Sequence, residues 1–305
     1  MQLSRQTIMD KMSNGYSLEE TATLLVLLLL NLVILLFGRF GEAGGIFLLN
    51  LAFVGLIMVV SRVQRSRGGQ TLTFIRDWYV LPLLITIYLE QGRLIPLINP
   101  HDVDGLLITI DRFLLFGHDP TVLLERMIFP PVTELLQIVY ASFYLLPFSL
   151  CVIVYCRDRA VTFHVVAATI MIGFYVSYAG YYLTPAIGPR FTLEHLQRVP
   201  LTGLLSFDFI RSILDAAAGV VRDCCPSGHT MVSLLTVLLA ARYEKRFLAP
   251  ALVWTVLLMY STMYLRYHYL VDLLAGIVLA GAVFLFVPAV ERFVTARTGR
   301  QISFS

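Results

Sequence analysis

Apolar residues in this chain come in long unbroken runs, with polar residues gathered between them. Eight runs stand out: Thr21–Gly38, Gly45–Ser61, Trp78–Leu97, Val132–Cys156, Val161–Thr184, Thr230–Ala241, Leu248–Tyr264 and Tyr269–Val290. Crossing a bilayer as a helix takes about 20 apolar residues. A helix that is apolar all round belongs in lipid or in a core. The pattern therefore predicts an all-α integral membrane protein with about eight transmembrane helices. The sixth run is short, and Pro226–His229 lends it a turn. Two longer segments break the rhythm. Asn99–Pro131 has apolar residues recurring on one face and is expected to lie flat at the membrane surface. Pro185–Cys225 is mixed, with a short amphipathic piece over Leu204–Val221. We divide the chain into N-terminal spans plus the interfacial segment (1–131), a helical core (132–291) and a tail (292–305).

Composition agrees with the pattern. Of the 305 residues, 58% are hydrophobic and 14% charged, against about 25% charged in soluble domains. The net charge of +3 is too small to suggest a nucleic-acid partner. Basic residues orient the spans. Arg5, Lys11, Arg62, Arg65, Arg67, Arg76, Arg157, Arg159, Arg242, Lys245, Arg246, Arg292, Arg297 and Arg300 fall on one side. That side is read as cytoplasmic, with both termini on it. The polar lead Met1–Glu20 points to a retained first span rather than a cleaved signal. Cys151, Cys156, Cys224 and Cys225 show neither zinc-type spacing nor a disulfide framework. Tyr181, Tyr182, Tyr264, Tyr267 and Tyr269 read first as an aromatic belt at the membrane surface.

Three polar constellations fall on the opposite, exoplasmic side. The central one is Cys225-Pro226-Ser227-Gly228-His229-Thr230. Pro226 suits the first position of a helix. Ser227 and Gly228 would then offer N–H groups to an anion at the helix N-terminus. His229 stands beside them as a proton carrier. The second is Arg266, His268 and Asp272. The last two are four apart, so on a helix the carboxylate could hold one ring nitrogen. The third is Gly188-Pro189-Arg190. Phosphoryl transfer needs neutralised oxygens and an in-line nucleophile. Arg190, Arg266, Ser227 and Gly228 would bind the phosphate, and His268 would attack phosphorus. Asp272 would orient His268, and His229 would act as acid and base. The arginines take the place of a metal, so neither metal nor cofactor is expected. His101, His118, His164 and His195 are read as ordinary interfacial histidines.

Pro226-Ser227-Gly228-His229-Thr230 followed by His268-x-x-x-Asp272 resembles the type 2 phosphatidic acid phosphatase superfamily. The resemblance covers Val132–Val290 and implies a six-helix phosphatase-type core. It implies His268 as nucleophile, Asp272 as its partner, His229 as general acid, and Ser227, Gly228 and the arginines as phosphate binders. The chain departs from the family twice. The usual first motif, K-x6-R-P, is reduced to Gly188-Pro189-Arg190, and Thr262 stands where the third motif's arginine is usual. Arg266, one turn further on, could reach the same pocket. Tyr264-Leu265-Arg266-Tyr267-His268-Tyr269 and the Asp111–Pro120 segment are similar to the branch containing inositol phosphorylceramide synthases. Gly228 is closer to the phosphatases.

These readings converge on an enzyme acting on a lipid phosphate or phospholipid headgroup at the exoplasmic (periplasmic or luminal) face. Water as acceptor would make it a phosphatase. A lipid alcohol as acceptor would make it a phosphotransferase like inositol phosphorylceramide synthase. A transporter would place its charges near span centres, whereas these sit at span ends. An intramembrane serine protease built on Ser227 and a silent lipid-binding relative complete the alternatives.

Overall fold

A computed structural model describes residues 15–37, 40–157, 160–217, 219–298 and 302, and among them it is built of helices without strands. Of the basic residues used for orientation, Arg5, Lys11, Arg159 and Arg300 lie outside the described residues, as does most of the polar lead. The first helix, α1 (Leu18–Leu36), starts where its sequence says it should. Ser17 accepts from Glu20 N, and the Glu20 carboxylate accepts from Ser17 N, a reciprocal cap. Then follow α2 (Phe40–Arg67), α3 (Gln70–Trp78), α4 (Val80–Ile98), α5 (Asp104–Leu114), α6 (Pro130–Ala141), α7 (Leu145–Cys156) and α8 (Ala160–Leu183). The chain closes with α9 (Phe207–Ala217), α10 (Gly228–Tyr243), α11 (Lys245–Tyr264), α12 (Leu270–Leu285) and α13 (Val287–Thr298).

Among the described residues, six helices or helix pairs are long and apolar enough to cross a membrane: α1, α2, α3 with α4, α8, α11, and α12 with α13. A seventh is added if α6 and α7, bent by 51° at their junction, count as one. The expected eight are therefore not reached. The difference lies in α10, whose 16 residues span about 24 Å, short of a ~30 Å hydrocarbon core. Packing explains why a short helix is tolerated there. It lies inside the bundle against α8, α11 and α12, with Met231, Val232, Leu235, Leu239 and Ala240 buried.

The bundle is organised around α8. It is apolar on every face, and Val165, Val166, Ala168 and Met171 are fully buried against α1, α4, α7, α10 and α13. The outer helices keep one face for lipid, as at Leu25, Leu29 and Leu36 of α1 and Leu48 of α2. Two glycines let the polar turn sit deep. A Cβ at Gly180 of α8 would come within 2.5 Å of the Pro226 ring, and one at Gly276 of α12 within 2.7 Å of the Ser227 carbonyl. Missing side chains on both neighbours thus set how closely α10 begins against them.

The interfacial segment folds as expected in kind. In α5 Leu106 and Phe113 face outward and Phe116 just beyond is almost fully exposed, whereas Asp104, Leu107 and Asp111 are buried. The amphipathic piece anticipated over 204–221 is α9. The tyrosines are a correction. Tyr181, Tyr264 and Tyr269 are buried to within a few per cent rather than ringing the surface. Three of the phenols find internal partners: Tyr264 with Thr133 and the Phe129 N–H, Tyr182 with Gln91, Tyr269 with Thr192 and Asp104. A buried hydroxyl is stable only with such partners.

Candidate active site

The polar turn begins α10, two residues later than expected. Pro226 follows a cis peptide bond and lies before the N-cap, which is Ser227. Ser227 Oγ accepts from Thr230 N at 3.3 Å, and Ser227 N donates to the Asp272 carbonyl at 3.1 Å. That N–H is therefore spent on holding α10 to α12. The first-turn N–H groups of Gly228 and His229 remain out of reach of any helical carbonyl. A Cβ at residue 228 would lie 2.7 Å from the Tyr181 hydroxyl, so the close fit there demands glycine.

His268 and His229 meet at the mouth of this turn. His268 Nε2 lies 3.4 Å from His229 Nδ1. The other nitrogen, His268 Nδ1, lies 2.8 Å from the Cys224 carbonyl. A carbonyl can only accept, so Nδ1 carries the proton and Nε2 presents its lone pair towards His229. Asp272 Oδ2 is 3.5 Å from Nδ1, beyond hydrogen-bond length. Its direct partners are Tyr269 N at 2.9 Å and the Cys224 thiol at 2.8 Å. The four-residue spacing does not place the two on one helical face, because α12 starts only at Leu270. Asp272 instead folds back over the helix start and fixes the lead-in that carries His268. Burial, with Asp272 next, pushes the Cys224 thiol well above its ordinary range, which keeps it a donor.

The interfacial helix α5 reaches into this site. Asp104 accepts from Ile187 N and Gly188 N at 3.0 and 2.9 Å, and from the Tyr269 hydroxyl at 2.8 Å. Gly188 has φ of 92°, where a side chain would be strained, and a Cβ there would lie 2.8 Å from the Tyr267 carbonyl. Asp111 accepts from Leu270 N and Val271 N, both at 2.8 Å, and so caps α12 from another helix. One face of α5 thereby ties the Gly188 loop to the start of α12. Asp111 is fully buried, and burial raises its carboxyl to about 6.

The two arginines expected on phosphate face acids here. Arg190 forms a two-pronged pair with Asp215 at 2.6 and 2.8 Å. That pair holds the Asp215 carboxyl below its usual value. Arg266, in the left-handed region at φ 69°, donates to Glu125 at 2.9 Å and to the Val199 carbonyl. Burial lowers its pKa. Of the seven residues named from sequence, the structure thus brings His229, His268, Asp272, Ser227 and Gly228 together. Arg190 joins them through a stack: His229 on Tyr140 (4.7 Å between centroids), Tyr140 on Tyr267 (4.3 Å), and the Arg190 guanidinium 5.8 Å over Tyr267.

Sequence reading missed Cys224, Tyr140, Asp104 and Asp111 as parts of this site. Asp111 had a signal, since its segment resembled a family motif; the others are joined only by folding. Among the described residues, Cys224, His268 and Asp272 also form a group able to hold a metal ion, their ligand atoms within 4.8 Å of one another. Here the thiol and the imidazole spend their protons on the carboxylate and a carbonyl.

Two histidines, an oriented carboxylate and a glycine-tight helix start, carried by buried apolar helices, define a helical membrane protein with a polar site built on paired histidines. Residues 106–286 match the PAP2 superfamily, and the chain belongs to it. The match begins inside α5, so the interfacial helix lies within the family's territory. The chain is 33% identical over 96 residues to a PA-phosphatase related-family protein of Dictyostelium discoideum, covering 30% of this chain and 17% of that one. The chain therefore matches under a fifth of that relative's length. No solved structure matches.

Proposed function

We propose that this protein removes or transfers a phosphoryl group from a membrane lipid through a phosphohistidine on His268. The observation that carries the reading is the His268 ring: Nδ1 is fixed on the Cys224 carbonyl, and Nε2 points at His229. The Nε2 lone pair forms the N–P bond as the P–O bond to the lipid breaks. The departing oxygen takes a proton from His229. Water then attacks phosphorus, gives a proton to His229, and the N–P bond breaks to restore Nε2. Backbone N–H groups at the start of α10 and nearby guanidinium groups stabilise the equatorial oxygens. Nitrogens 3.4 Å apart leave no room for a phosphoryl group between them, so lipid binding must part the two rings.

The acceptor is water by default, which makes the protein a lipid phosphate phosphatase of the kind its Dictyostelium relative is named for. An alcohol acceptor would use the same first half-reaction. The bias of basic residues puts the site on the exoplasmic face with both termini cytoplasmic. The test is phosphate release by purified protein in detergent from a panel of lipid phosphates, with chelator present, beside His268→Ala. Release that resists chelator, disappears in the variant and leaves an acid-labile, base-stable phosphoprotein in rapid-quench samples supports the mechanism. Release unchanged in His268→Ala would sink it.

A further inference from the structure

The donor atoms of Cys224, His268 and Asp272 form a compact triangle. Cys224 Sγ lies 2.8 Å from Asp272 Oδ2 and 3.7 Å from His268 Nδ1, and Nδ1 lies 3.5 Å from Oδ2. Sulfur, nitrogen and oxygen ligands of a tetrahedral zinc ion, at bonds of about 2.0–2.3 Å, stand about 3.4–3.6 Å apart. Two edges of the triangle are already close to that length. The third is short because a proton sits in it, donated by the thiol to the carboxylate. An ion in the proton's place needs that edge to widen by about 0.7 Å.

The backbone holds the three residues in these places. Cys224 N donates to the Ala186 carbonyl at 3.2 Å, His268 N donates to the Thr262 carbonyl at 3.1 Å, and Asp272 accepts from Tyr269 N at 2.9 Å. All three residues are buried. Charge fits as well. One thiolate and one carboxylate balance a dication, so the loaded site is neutral, as burial away from water requires. Thiolate and imidazole favour zinc, whereas magnesium and calcium take oxygen ligands.

Binding at Nδ1 changes the other nitrogen of the ring. The His268 proton stands on Nδ1, against the Cys224 carbonyl. A metal needs the lone pair of that atom, so the proton must leave it. A neutral imidazole keeps one N–H. The proton therefore reappears on Nε2, the nitrogen that faces His229. Nε2 then has no lone pair with which to attack phosphorus.

We propose that Cys224, His268 and Asp272 form an inhibitory site for a soft divalent ion, zinc above all, which silences the enzyme by reversing the His268 tautomer. The ion acts as a brake and is no cofactor of the reaction. Bonds form from zinc to Sγ, Nδ1 and Oδ2. The thiol proton leaves to solvent, and the ring proton moves from Nδ1 to Nε2, so about one proton is released for each ion bound. Nδ1 turns from the carbonyl of Cys224 to an ion held by the thiolate of the same residue, which keeps the movement small. The inhibition rests on the proposed histidine chemistry; the binding does not.

The test reads binding and inhibition separately, on the full chain in nanodiscs with a non-thiol reductant. Cobalt(II) serves as a visible stand-in for zinc. The unaltered protein should show thiolate-to-cobalt charge-transfer absorption that zinc displaces. Cys224→Ser should lose it, and Cys225→Ser should keep it. Calorimetry with zinc in two buffers of different protonation enthalpy should give about one proton released. In the second arm, zinc should suppress phosphate release and the phosphoprotein together, and a chelator should restore both. Magnesium and calcium at the same concentration should not. Cys224→Ser, read against its own activity without zinc, should need about a hundredfold more zinc for half inhibition, since losing even an outer partner of a metal ligand costs 10–100-fold. Unfolding temperatures establish that each variant is folded, and the cobalt spectrum of the unaltered protein needs no variant. Absence of that absorption overturns the site, as does its persistence in folded Cys224→Ser. Equal inhibition of the unaltered protein and Cys224→Ser would mean zinc captured by the lipid phosphate, and would overturn the brake. So would zinc bound at Cys224 with the phosphoprotein undiminished. None of these outcomes bears on whether His268 is the nucleophile, which His268→Ala reads without metal.

Discussion

Two buried clusters, one at each end of α8, pair a histidine with carboxylates, and they are built to opposite ends. At the first turn of α8, His164 Nδ1 lies 2.8 Å from Glu19, and Asp77 approaches its other nitrogen at 3.7 Å. Beside it Arg76 donates to both oxygens of Glu20, to Gln64 and to the Gly15 carbonyl. Charges there meet their opposites, and the guanidinium is fully employed. Its role is to lock α1, α3 and α8 together. Roughly 25 Å away, at 1.5 Å per residue along α8, His268 and His229 face each other, and the nearest carboxylate, Asp272, stays 3.5 Å from the His268 ring. Buried charges that meet their opposites hold helices together, whereas two buried histidines facing each other are an arrangement that functional sites favour.

The contrast is sharpest in variants that should separate activity from stability. His268→Ala should lower lipid phosphate turnover by roughly a thousandfold or more while leaving the unfolding temperature within a few degrees of normal. His229→Ala should cost about 10²- to 10⁴-fold in kcat. It should cost much less on an ester whose leaving group needs no proton, such as a nitrophenyl phosphate. Equal losses on both would remove the general-acid role. Arg76→Met should do the reverse, costing about 3–5 kcal/mol of stability by stranding Glu20, with kcat per folded molecule unchanged. A lowered kcat in protein shown to be folded would break the division between the two clusters.

Smaller effects probe how the interfacial helix serves the site. Asp104→Ala and Asp111→Ala should each reduce kcat about tenfold or more through misplacement of Arg190 and His268. They should change substrate KM less, and Asp104→Glu should recover part of the loss. Asp111 also carries a pH signature. Its folded pKa of about 6 lies above the ordinary aspartate value of 3.8, so the folded state binds the extra proton between those values. Stability contributed by this group is full below about pH 4 and is lost as pH rises through 6. Acidifying from pH 7 to 5 should therefore raise unfolding stability by roughly 1 kcal/mol through this residue. Asp111→Asn should flatten that part of the profile in a thermal melt. A profile unchanged by the substitution would place the titration elsewhere.

Much of this was legible beforehand because membrane helices and catalytic motifs are written locally. Long apolar runs predict spans wherever a helix must satisfy its own backbone in lipid. The Ser227–His229 and His268–Asp272 pairs are adjacent enough in sequence to be seen together. The count of spans was less legible. Whether α10 crosses depends on what packs around its 16 residues rather than on their composition. The tyrosines misled for the same reason, since a phenol at the end of an apolar run looks the same whether it faces lipid headgroups or a buried Asp104.

By itself, then, the sequence determined the all-helical membrane class, which two histidines would meet and the clustering of polar groups at span ends. These depend on composition and on spacings of a few residues. Tertiary structure alone decided which partners those groups meet: that Cys224 rather than Asp272 takes the His268 proton, and that Asp104 and Asp111 reach back to pin two loops. It also decided that Arg190 and Arg266, expected on phosphate, meet Asp215 and Glu125. Hydrogen bonds act over about 3 Å. Residues a hundred positions apart in the chain come within that reach only through the packing of whole helices.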